Sequence, residues 1–503
     1  MPTETAPANQ RQLARRVEKL TAILDVAKAM TAARDLNTLL ATILKETSGV
    51  VDADRASIFL ADRARGELWI RAAQGAEKEI RIPIGTGIAG YVAQTGQVVN
   101  IPDCYADPRF NRQVDIATGY HTRNLLCAPM RDAEGEIVGV IQALNKRDGP
   151  FTSEDEELVL VLGGQAACAL ENAMLHEEIQ RLFEGFVSAS VVAIESRDPT
   201  TAGHSGRVAS LTVNLAHALE RGGRGTYANT RFTSTEIHEI RYASLLHDFG
   251  KVGVREPVLV KANKLFPHEL DILESRFEVI GRTLEAESYK KRLELVRARS
   301  MKEAEQALAD EEQNLAKQLA ELEQMLAFVR ECNRPTVLAQ GGFEKLADIR
   351  KRTMKSRAGA DVAYLTEGEM SRLSIPRGSL TEDERKEIES HVVHTFRFLQ
   401  QIPWTRALRR VPEIAAAHHE KLDGTGYPSA LPEQKIPIQS RMMAISDIYD
   451  ALTASDRPYK KAIPHEKALD ILNMEAKAKK IDVELLGIFV EAEVPKKALT
   501  PAT

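Results

Sequence analysis

Cysteine is scarce in this sequence, and the placement of the four that occur excludes two kinds of site. Cys104, Cys127, Cys168 and Cys332 lie far apart and form no Cys-x-x-Cys pair. This spacing argues against a disulfide-rich scaffold and against a zinc site built from thiolates. It is typical of proteins in a reducing compartment, so we predict a cytoplasmic protein.

A long apolar run and a strong net charge are also missing. The N-terminus, MPTETAPANQRQLARR, lacks the apolar core of a signal peptide, and without a run of about 18 apolar residues we predict no membrane span. The 67 Lys and Arg residues nearly balance the 72 Asp and Glu residues, for a net charge of −5. We therefore expect no nucleic acid polymer as a partner, and any phosphate binding should come from a local site.

The length of 503 residues predicts several domains. Residues 1–16 are polar and are predicted to be disordered. Strand-like and turn segments follow, with helical patterns at both ends, which predicts an α+β sheet domain over residues 17–175. The strand-like segments are 56–62, 67–73, 124–130 and 136–145.

A heptad pattern leads out of this first domain. Apolar or small residues recur every seven positions at Val161, Cys168, Leu175 and Leu182. Ile179 and Phe186 fill the companion positions, so we predict a connecting helix over 176–194 that forms a parallel homodimer. The alternative is a helix that only packs on its own sheet.

The rest of the chain has helical patterns, which predict an all-α domain over 195–490. A charged segment inside it, 281–378, is predicted to be a helical insertion with coiled-coil character and one arm of a hairpin. Its seven-residue repeat is Met301, Leu308, Leu315, Leu322 and Val329. The tail, 491–503, is predicted to be flexible.

Four motifs in the all-α region carry histidines and carboxylates. They are Gly203-His204-Ser205, HDFGK (247–251), HHEKLDGTGYP (418–428) and DIYDALTASDRPYK (447–460). Imidazole and carboxylate groups bind first-row divalent metals, and without cysteine the set suits iron or manganese. Two such ions about 3.5–4 Å apart can promote hydrolysis of a phosphate ester.

The second to fourth motifs resemble those of the HD-GYP family, a branch of the HD-domain metal phosphohydrolases. HHEKLDGTGYP has the family residue at every fixed position. The resemblance implies a phosphodiesterase that hydrolyses cyclic di-GMP to linear pGpG, and it leaves open whether a second cut gives GMP. The implied metal ligands are His204, His247, Asp248, His418, His419 and Asp447, with Asp248 bridging two ions in the catalytic centre.

One further implied histidine ligand has two candidates. His391 follows a Leu-Thr-x-x-E segment in the best register, and His394 competes with it. The segment 264–277 resembles the same helix but has Arg276 at the ligand position, so we interpret it as a decoy. Thr200 stands where three-metal members of the family have Glu, so we predict two metal ions.

The resemblance also implies residues on the substrate side. Lys251 would neutralise the scissile phosphate or assist the leaving oxygen, and its alternative role is a surface salt bridge. Arg457 and Lys460 would contact phosphate and guanine, although an RPYK stretch is more often a solvated turn. Gly426 and Tyr427 would shape the nucleotide pocket. Asp423 is expected to orient ligand histidines.

The first domain resembles GAF domains of cyclic-nucleotide phosphodiesterases and cyclases. The resemblance lies in Asn145-Lys146 followed by Phe151-Thr152-Ser153-Glu154-Asp155-Glu156. It implies a sensor that binds a cyclic nucleotide or another small ligand, although its pocket residues cannot be named. Alternatively, Lys146 and Asp155 form a structural salt bridge while Phe151 packs on the sheet.

Two other functions remain open for the all-α domain. It could be a non-catalytic cyclic di-GMP receptor that uses the insertion to dock partners. It could also hydrolyse another cyclic dinucleotide, such as cyclic GMP-AMP. The complete set of ligand residues favours an enzyme over a receptor.

Overall fold

The computed structural model describes residues 28, 36–73, 81–197, 202–298, 301–335, 341–356, 359–454 and 462–498. The chain divides into two units, Met1–Glu184 and Gly185–Thr503. The expectations for Thr200, Arg457 and Lys460, and those for residues 1–16, lie outside the described residues.

The first unit contains a six-stranded antiparallel sheet in the order β3-β2-β1-β6-β5-β4. Its elements are α1 (Leu36–Val50), β1 (Ala53–Asp62), β2 (Glu67–Ala73), β3 (Arg81–Pro83), α2 (Gly87–Thr95), β4 (Val99–Ile101), α3 (Arg112–Thr118), β5 (Leu125–Arg131), β6 (Ile137–Lys146) and α4 (Ser153–Arg197). The predicted α+β class of this domain is confirmed.

Both faces of the sheet are buried. Ile58 and Ile141 lie in the core formed with α1 and α4, whereas their neighbours Phe59 and Val140 lie in the core formed with α2. Successive side chains of a strand point to opposite faces, so apolar residues at adjacent positions require a layer on each side. This explains why apolar residues stand side by side in β1, at Ile58, Phe59 and Leu60, and in β6, at Val140 and Ile141.

Helix α4 is long and apolar enough, by length and composition, to cross a membrane. This differs from the expectation that the sequence contains no segment long and apolar enough to span a membrane. Val159, Leu162, Ala166 and Leu170 of the helix lie in the core beneath the sheet. The core helix of a globular domain meets the same criterion, and this packing accounts for part of the apolar composition of α4, in which 39% of the apolar window is buried.

The structural role that was the alternative for Lys146, Phe151 and Asp155 is present in the sheet domain. Lys146 and Asp155 form an ion pair, and Asp155 also accepts hydrogen bonds from the amide and hydroxyl groups of Thr152. Phe151 is buried in the core. These residues therefore fasten the start of α4 to the end of β6.

Over its described residues, the second unit is helical apart from one short β-hairpin. Its elements are α5 (His204–Gly222), α6 (Ser234–Leu246), α7 (Glu256–Leu259), α8 (Pro267–Ala298), α9 (Met301–Asn333), α10 (Gly342–Lys351), β7 (Thr353–Lys355), β8 (Asp361–Ala363), α11 (Glu367–Leu373), α12 (Glu382–Glu389), α13 (His391–Leu399), α14 (Val411–Ala416), α15 (Ile438–Thr453), α16 (His465–Lys477), α17 (Val483–Glu491) and α18 (Val494–Ala498). Helices α5, α15, α16 and α17 share one core.

The predicted insertion contains a helical hairpin. Its first arm, α8, begins at Pro267, before the predicted start of the insertion at residue 281. Helices α8 and α9 run antiparallel, with ion pairs from Lys291 to Glu311 and from Arg330 to Glu274. The purely helical description was wrong for β7 and β8, which pair within this segment.

The ends of two predicted segments also differ from expectation. The tail predicted as flexible contains α18, whose Val494 is buried in the core, so this prediction was wrong for residues 494–498. The decoy segment 264–277 leads into α8, where Arg276 pairs with Glu369 at 2.6 Å instead of standing at a ligand position.

We predict that Asp155→Ala destabilises the sheet domain. Removing the carboxylate leaves the mostly buried Lys146 ammonium without its anion and two Thr152 donors without an acceptor, at a cost of about 2 kcal/mol. Hydrogen exchange of β6 amides, followed by mass spectrometry, should then be about 30-fold faster. Glu157→Ala, at an exposed site on the same helix, is the matched control; equal exchange in both variants would contradict the structural role.

Candidate metal centre

The histidines and carboxylates of the four motifs meet within the helical unit. His204 is the first residue of α5, and His247 and Asp248 join α6 to the 3-10 turn Phe249–Gly253. His391 begins α13, His418 and His419 follow α14, and Asp447 lies in α15. Residues separated by more than two hundred positions are thereby brought together.

Asp248 stands between two sets of histidines. Its Oδ2 is 3.7 Å from His204 Nε2 and 3.5 Å from His247 Nε2, while its Oδ1 is 3.4 Å from His391 Nε2. Asp447 Oδ1 is 3.1 Å from His204 Nε2 and 3.9 Å from His247 Nε2. A carboxylate whose two oxygens face different ligand sets is suited to bridging two cations.

The candidate ligand atoms fall into two groups of three. In the first group, His204, His247 and Asp248 offer atoms that all lie within 4.8 Å of one another. In the second group, His391, His418 and His419 do the same. We call these the first and second ligand groups.

Three buried imidazoles present a nitrogen that has no hydrogen-bond partner in the described part of the chain. The Nδ1 atoms of His247, His391 and His418 each contact a backbone carbonyl three residues earlier, at 2.7, 2.6 and 2.6 Å. Their Nε2 atoms are buried and find no hydrogen-bond partner among the described residues. Buried polar atoms are rarely left unsatisfied. An Nδ1–H that donates to a carbonyl leaves a lone pair on Nε2, which is the arrangement of a metal-binding histidine, so these residues fit divalent cations.

The protonation states also suit cation binding. Burial lowers the pKa of His418 well below its ordinary value and that of His419 to about 4, so both imidazoles are neutral near pH 7. Burial alone would raise the pKa of Asp248, but Lys251 and the neighbouring histidines hold it well below the ordinary value. Neutral histidine and ionised carboxylate are the forms that coordinate metals.

His204 is oriented differently from the other histidines. Its Nδ1 is 2.7 Å from Asp450 Oδ2, and Asp450 is held in turn by Arg207. Because His204 opens its helix, no helical carbonyl lies one turn before it, and a side chain supplies the acceptor instead. Burial would lower the pKa of His204, but hydrogen bonds with Asp447 and Asp450 raise it to about 9. This position therefore favours a cation, either a proton or a metal.

The sequence did not single out Asp450 or Arg207. Asp450 could have been found from its spacing, because residues three apart, such as Asp447 and Asp450, lie on one face of a helix.

Of the two candidates for the remaining ligand, the structure places His391 in the centre. His394 lies against Gly253, where an added Cβ would be 2.8 Å from its Cδ2. An added Cβ at Gly250 would lie 1.9 Å from the carbonyl oxygen of His391, so only glycine allows α13 to approach the turn after Asp248. Thr395 joins the two segments by accepting from Gly250 N and donating to His247 O.

The expected substrate-side residues have mixed outcomes. Lys251 Nζ is 2.8 Å from Asp248 Oδ2, so it contacts the centre. The Tyr427 ring lies 4.8 Å from that of His419, and Gly426 packs too closely on the backbone of Glu420 for any side chain. Asp423 does not orient a ligand histidine. It accepts hydrogen bonds from the amide and hydroxyl of Thr425, which corrects the expectation.

Glu420 is a further residue whose role was not anticipated. It is buried, and its carboxylate accepts hydrogen bonds from Ser429 N at 2.8 Å and Leu431 N at 2.9 Å. It therefore fixes the loop that follows Tyr427. The sequence signal was its position directly after the two histidines.

Comparison with protein families identifies both domains. Residues 35–170 match the model of the GAF domain, and residues 349–485 match the model of an HD domain. The chain therefore carries an N-terminal GAF domain followed by a helical HD-type domain. His204, His247 and Asp248 precede the matched HD range, from which α8 and α9 separate them.

Curated relatives include cyclic-nucleotide phosphodiesterases. A probable 3′,5′-cyclic phosphodiesterase of Caenorhabditis elegans is 37% identical over 191 residues, which are 35% of this chain and 26% of the relative. The dual 3′,5′-cyclic-AMP and -GMP phosphodiesterase 11 of Drosophila melanogaster is 36% identical over 176 residues, 31% of this chain and 12% of the relative. The match thus spans about a quarter or less of these relatives' length.

Similar solved structures include GAF domains. That of a phosphoenolpyruvate-protein phosphotransferase from Coxiella burnetii is 22% identical, covers 32% of this chain and 96% of that chain, and has a TM-score of 0.30. The corresponding Acinetobacter domain is 18% identical, with 32% and 98% covered and a TM-score of 0.29.

We predict that Asp450→Asn weakens the binding of one metal ion. An amide is a poorer acceptor than a carboxylate and no longer fixes His204, and the loss of such a partner typically lowers metal affinity 10–100-fold. Manganese titration of the apo-protein by calorimetry should show one weakened site and one unchanged site. Asp482→Asn is the matched control, because Asp482 also pairs with an arginine but lies away from the ligands. Equal weakening of both sites would contradict the assignment to the first group.

Proposed function

We propose that this protein is a metal-dependent phosphodiesterase that hydrolyses cyclic di-GMP and is regulated by its GAF domain. The observation that carries the proposal is a set of three Nε2 atoms, of His247, His391 and His418, that have no hydrogen-bond partner within the described ranges. They lie beside two ionised carboxylates, Asp248 and Asp447. Two ions, iron or manganese by donor type, would be held by the first and second ligand groups together with Asp447.

Divalent ions at such a centre supply an activated water and stabilise the charge that develops on a phosphodiester during hydrolysis. The protein supplies the orientation. Backbone carbonyls fix three of the imidazole rings, and Asp450 fixes His204. Lys251 brings a positive charge to the edge of the centre, where it can neutralise a phosphate oxygen while remaining paired with Asp248.

The choice of cyclic di-GMP rests on the HHEKLDGTGYP segment. Glu420, Gly426 and Tyr427 shape the loop beside His419, and this is the segment in which every fixed position agrees with HD-GYP enzymes. Arg457 and Lys460 complete the proposed substrate contacts. Hydrolysis of one 3′–5′ bond would give pGpG, and a second cut would give GMP.

The named activities of the curated relatives favour a second candidate, hydrolysis of 3′,5′-cyclic AMP or GMP. The same names support a cyclic nucleotide as the ligand of the GAF domain. A cyclic GMP-AMP hydrolase and a non-catalytic cyclic di-GMP receptor remain alternatives. A cytoplasmic location is part of the proposal and agrees with four free cysteines.

A turnover panel tests the activity. The metal-loaded full chain should cleave cyclic di-GMP faster than cyclic GMP-AMP, cyclic AMP or cyclic GMP, as followed by chromatography of the products. His418→Ala should lower turnover at least about 100-fold, because it removes a ligand from the second group. The matched control is His465→Ala, whose imidazole bonds Tyr449 away from the centre.

The outcomes of the panel separate the alternatives. Preferred cleavage of a cyclic mononucleotide would overturn the choice of substrate but keep the phosphodiesterase. Tight binding of cyclic di-GMP without turnover by the two-metal protein would contradict the enzyme and favour the receptor.

We also propose that α4 forms a parallel homodimer. The seam positions Leu175, Ile179, Leu182 and Phe186 are 49%, 62%, 74% and 46% exposed. Gln165 and Asn172 take the place of apolar residues four positions after Val161 and Cys168, and polar residues in a seam can specify register in parallel pairs. Burying this stripe against a second copy would remove its apolar surface from water.

Leu182→Glu should convert the dimer into a monomer, because it places like charges at the centre of the seam. Light scattering after size exclusion measures the mass, and Arg181→Glu, beside the seam, is the control. Cys168 is the one exposed cysteine of the four, so mild oxidation should cross-link a parallel dimer through it. A wild-type protein with a single-chain mass at micromolar concentration would contradict the proposal.

A further inference from the structure

The last turn of α4 holds the segment that begins with a metal ligand. Glu195 Oε2 accepts a hydrogen bond from Gly203 N at 2.8 Å, and Oε1 accepts one from Ser205 N at 3.3 Å. These amides flank His204 at the start of α5. The first amides of a helix have no partner within it, and Gly203 offers no side chain to cap them. A carboxylate from another helix therefore does so, with a favourable charge for a helix N-terminus.

The same turn also holds the segment that follows a second ligand. Arg197 donates from Nη1 to Val252 O at 2.7 Å and from Nη2 to Val254 O at 3.1 Å. These carbonyls end the turn that begins after Asp248 and contains Lys251. One guanidinium thus fixes two carbonyls, which gives the contact a defined direction.

We propose that Glu195 and Arg197 are positioning residues through which α4 controls how tightly the first ligand group holds its metal ion. The inference rests on the proposed function, since it names the route by which the helix leaving the GAF domain regulates the metal centre. The second ligand group lies on α13 and after α14, which receive neither set of hydrogen bonds. Because Asp248 also faces His391, we expect the effect to be large on the ion of the first group and small on the other ion.

The hydrogen bonds of Glu195 and Arg197 are sensitive to small movements of α4, because a hydrogen bond tolerates little change in its donor–acceptor distance. Helix shifts of about 1–2 Å are common in switching proteins. Such a shift would lengthen hydrogen bonds of 2.7–3.3 Å beyond their working range. His204 and the turn after Asp248 would then lose these supports together, while His391 and His418 keep their bonds to backbone carbonyls.

Manganese binding to the full chain tests the inference without using turnover. Apo-protein is titrated with Mn²⁺ as wild type, Glu195→Ala, Arg197→Ala and Ser196→Ala. Ser196 is the matched control, because its hydroxyl bonds Val192 O in its own helix. We expect the first two variants to bind one ion about tenfold more weakly while the other Kd changes by less than about twofold. The electron paramagnetic resonance spectrum at two equivalents should change from a spin-coupled pair toward isolated Mn²⁺.

Two results would overturn the inference. One is wild-type affinity for both ions in Glu195→Ala and Arg197→Ala, and the other is equal weakening of both ions, which would indicate general damage to the fold. Circular dichroism checks that each variant folds. If Glu195→Ala does not fold, Glu195→Gln replaces it, because the amide keeps an acceptor oxygen. Glu195→Gln should lower the affinity for the same ion to a smaller extent. A wild type that binds two ions but leaves cyclic di-GMP intact would contradict the proposed function and leave this inference standing.

Discussion

The centre depends on three imidazole nitrogens that are held in the protein interior and find no hydrogen-bond partner in the part of the chain that the structure describes. His247, His391 and His418 each use one ring nitrogen on a nearby carbonyl and turn the other toward Asp248 and Asp447. Leaving such atoms desolvated costs free energy that packing alone does not recover. A cation shared with the carboxylates would offset both this cost and the repulsion between two buried negative charges.

The helical scaffold is arranged to bring these atoms together. Glycine at position 250 lets α13 approach the turn after Asp248, and Glu420 fixes the loop beside His419. The last turn of α4 supports the segments next to the first ligand group through hydrogen bonds of Glu195 and Arg197. The two ligand groups therefore have different supports, which would allow one ion to respond to the sensor half while the other stays bound.

Much of this could be predicted from the sequence, because its strongest signals are local. Strand-like segments separated by turns predicted the sheet, and the motif HHEKLDGTGYP predicted two residues of the second ligand group, His418 and His419. Other features depend on distant contacts that no local pattern encodes. The bond from His204 to Asp450 joins residues far apart in the chain, and β7 with β8 are too short to leave a periodic signal. Asp423 misled because its place in the motif suggested a ligand partner, whereas its carboxylate bonds Thr425 two residues later.

The most direct measurement is anomalous diffraction from crystals of the full chain grown with Mn²⁺. The account predicts two strong anomalous peaks, one beside the Nε2 atoms of His204 and His247 and one beside His391, His418 and His419, with Asp248 between them. A map without anomalous density, in which water molecules or other side chains satisfy those nitrogens, would contradict it.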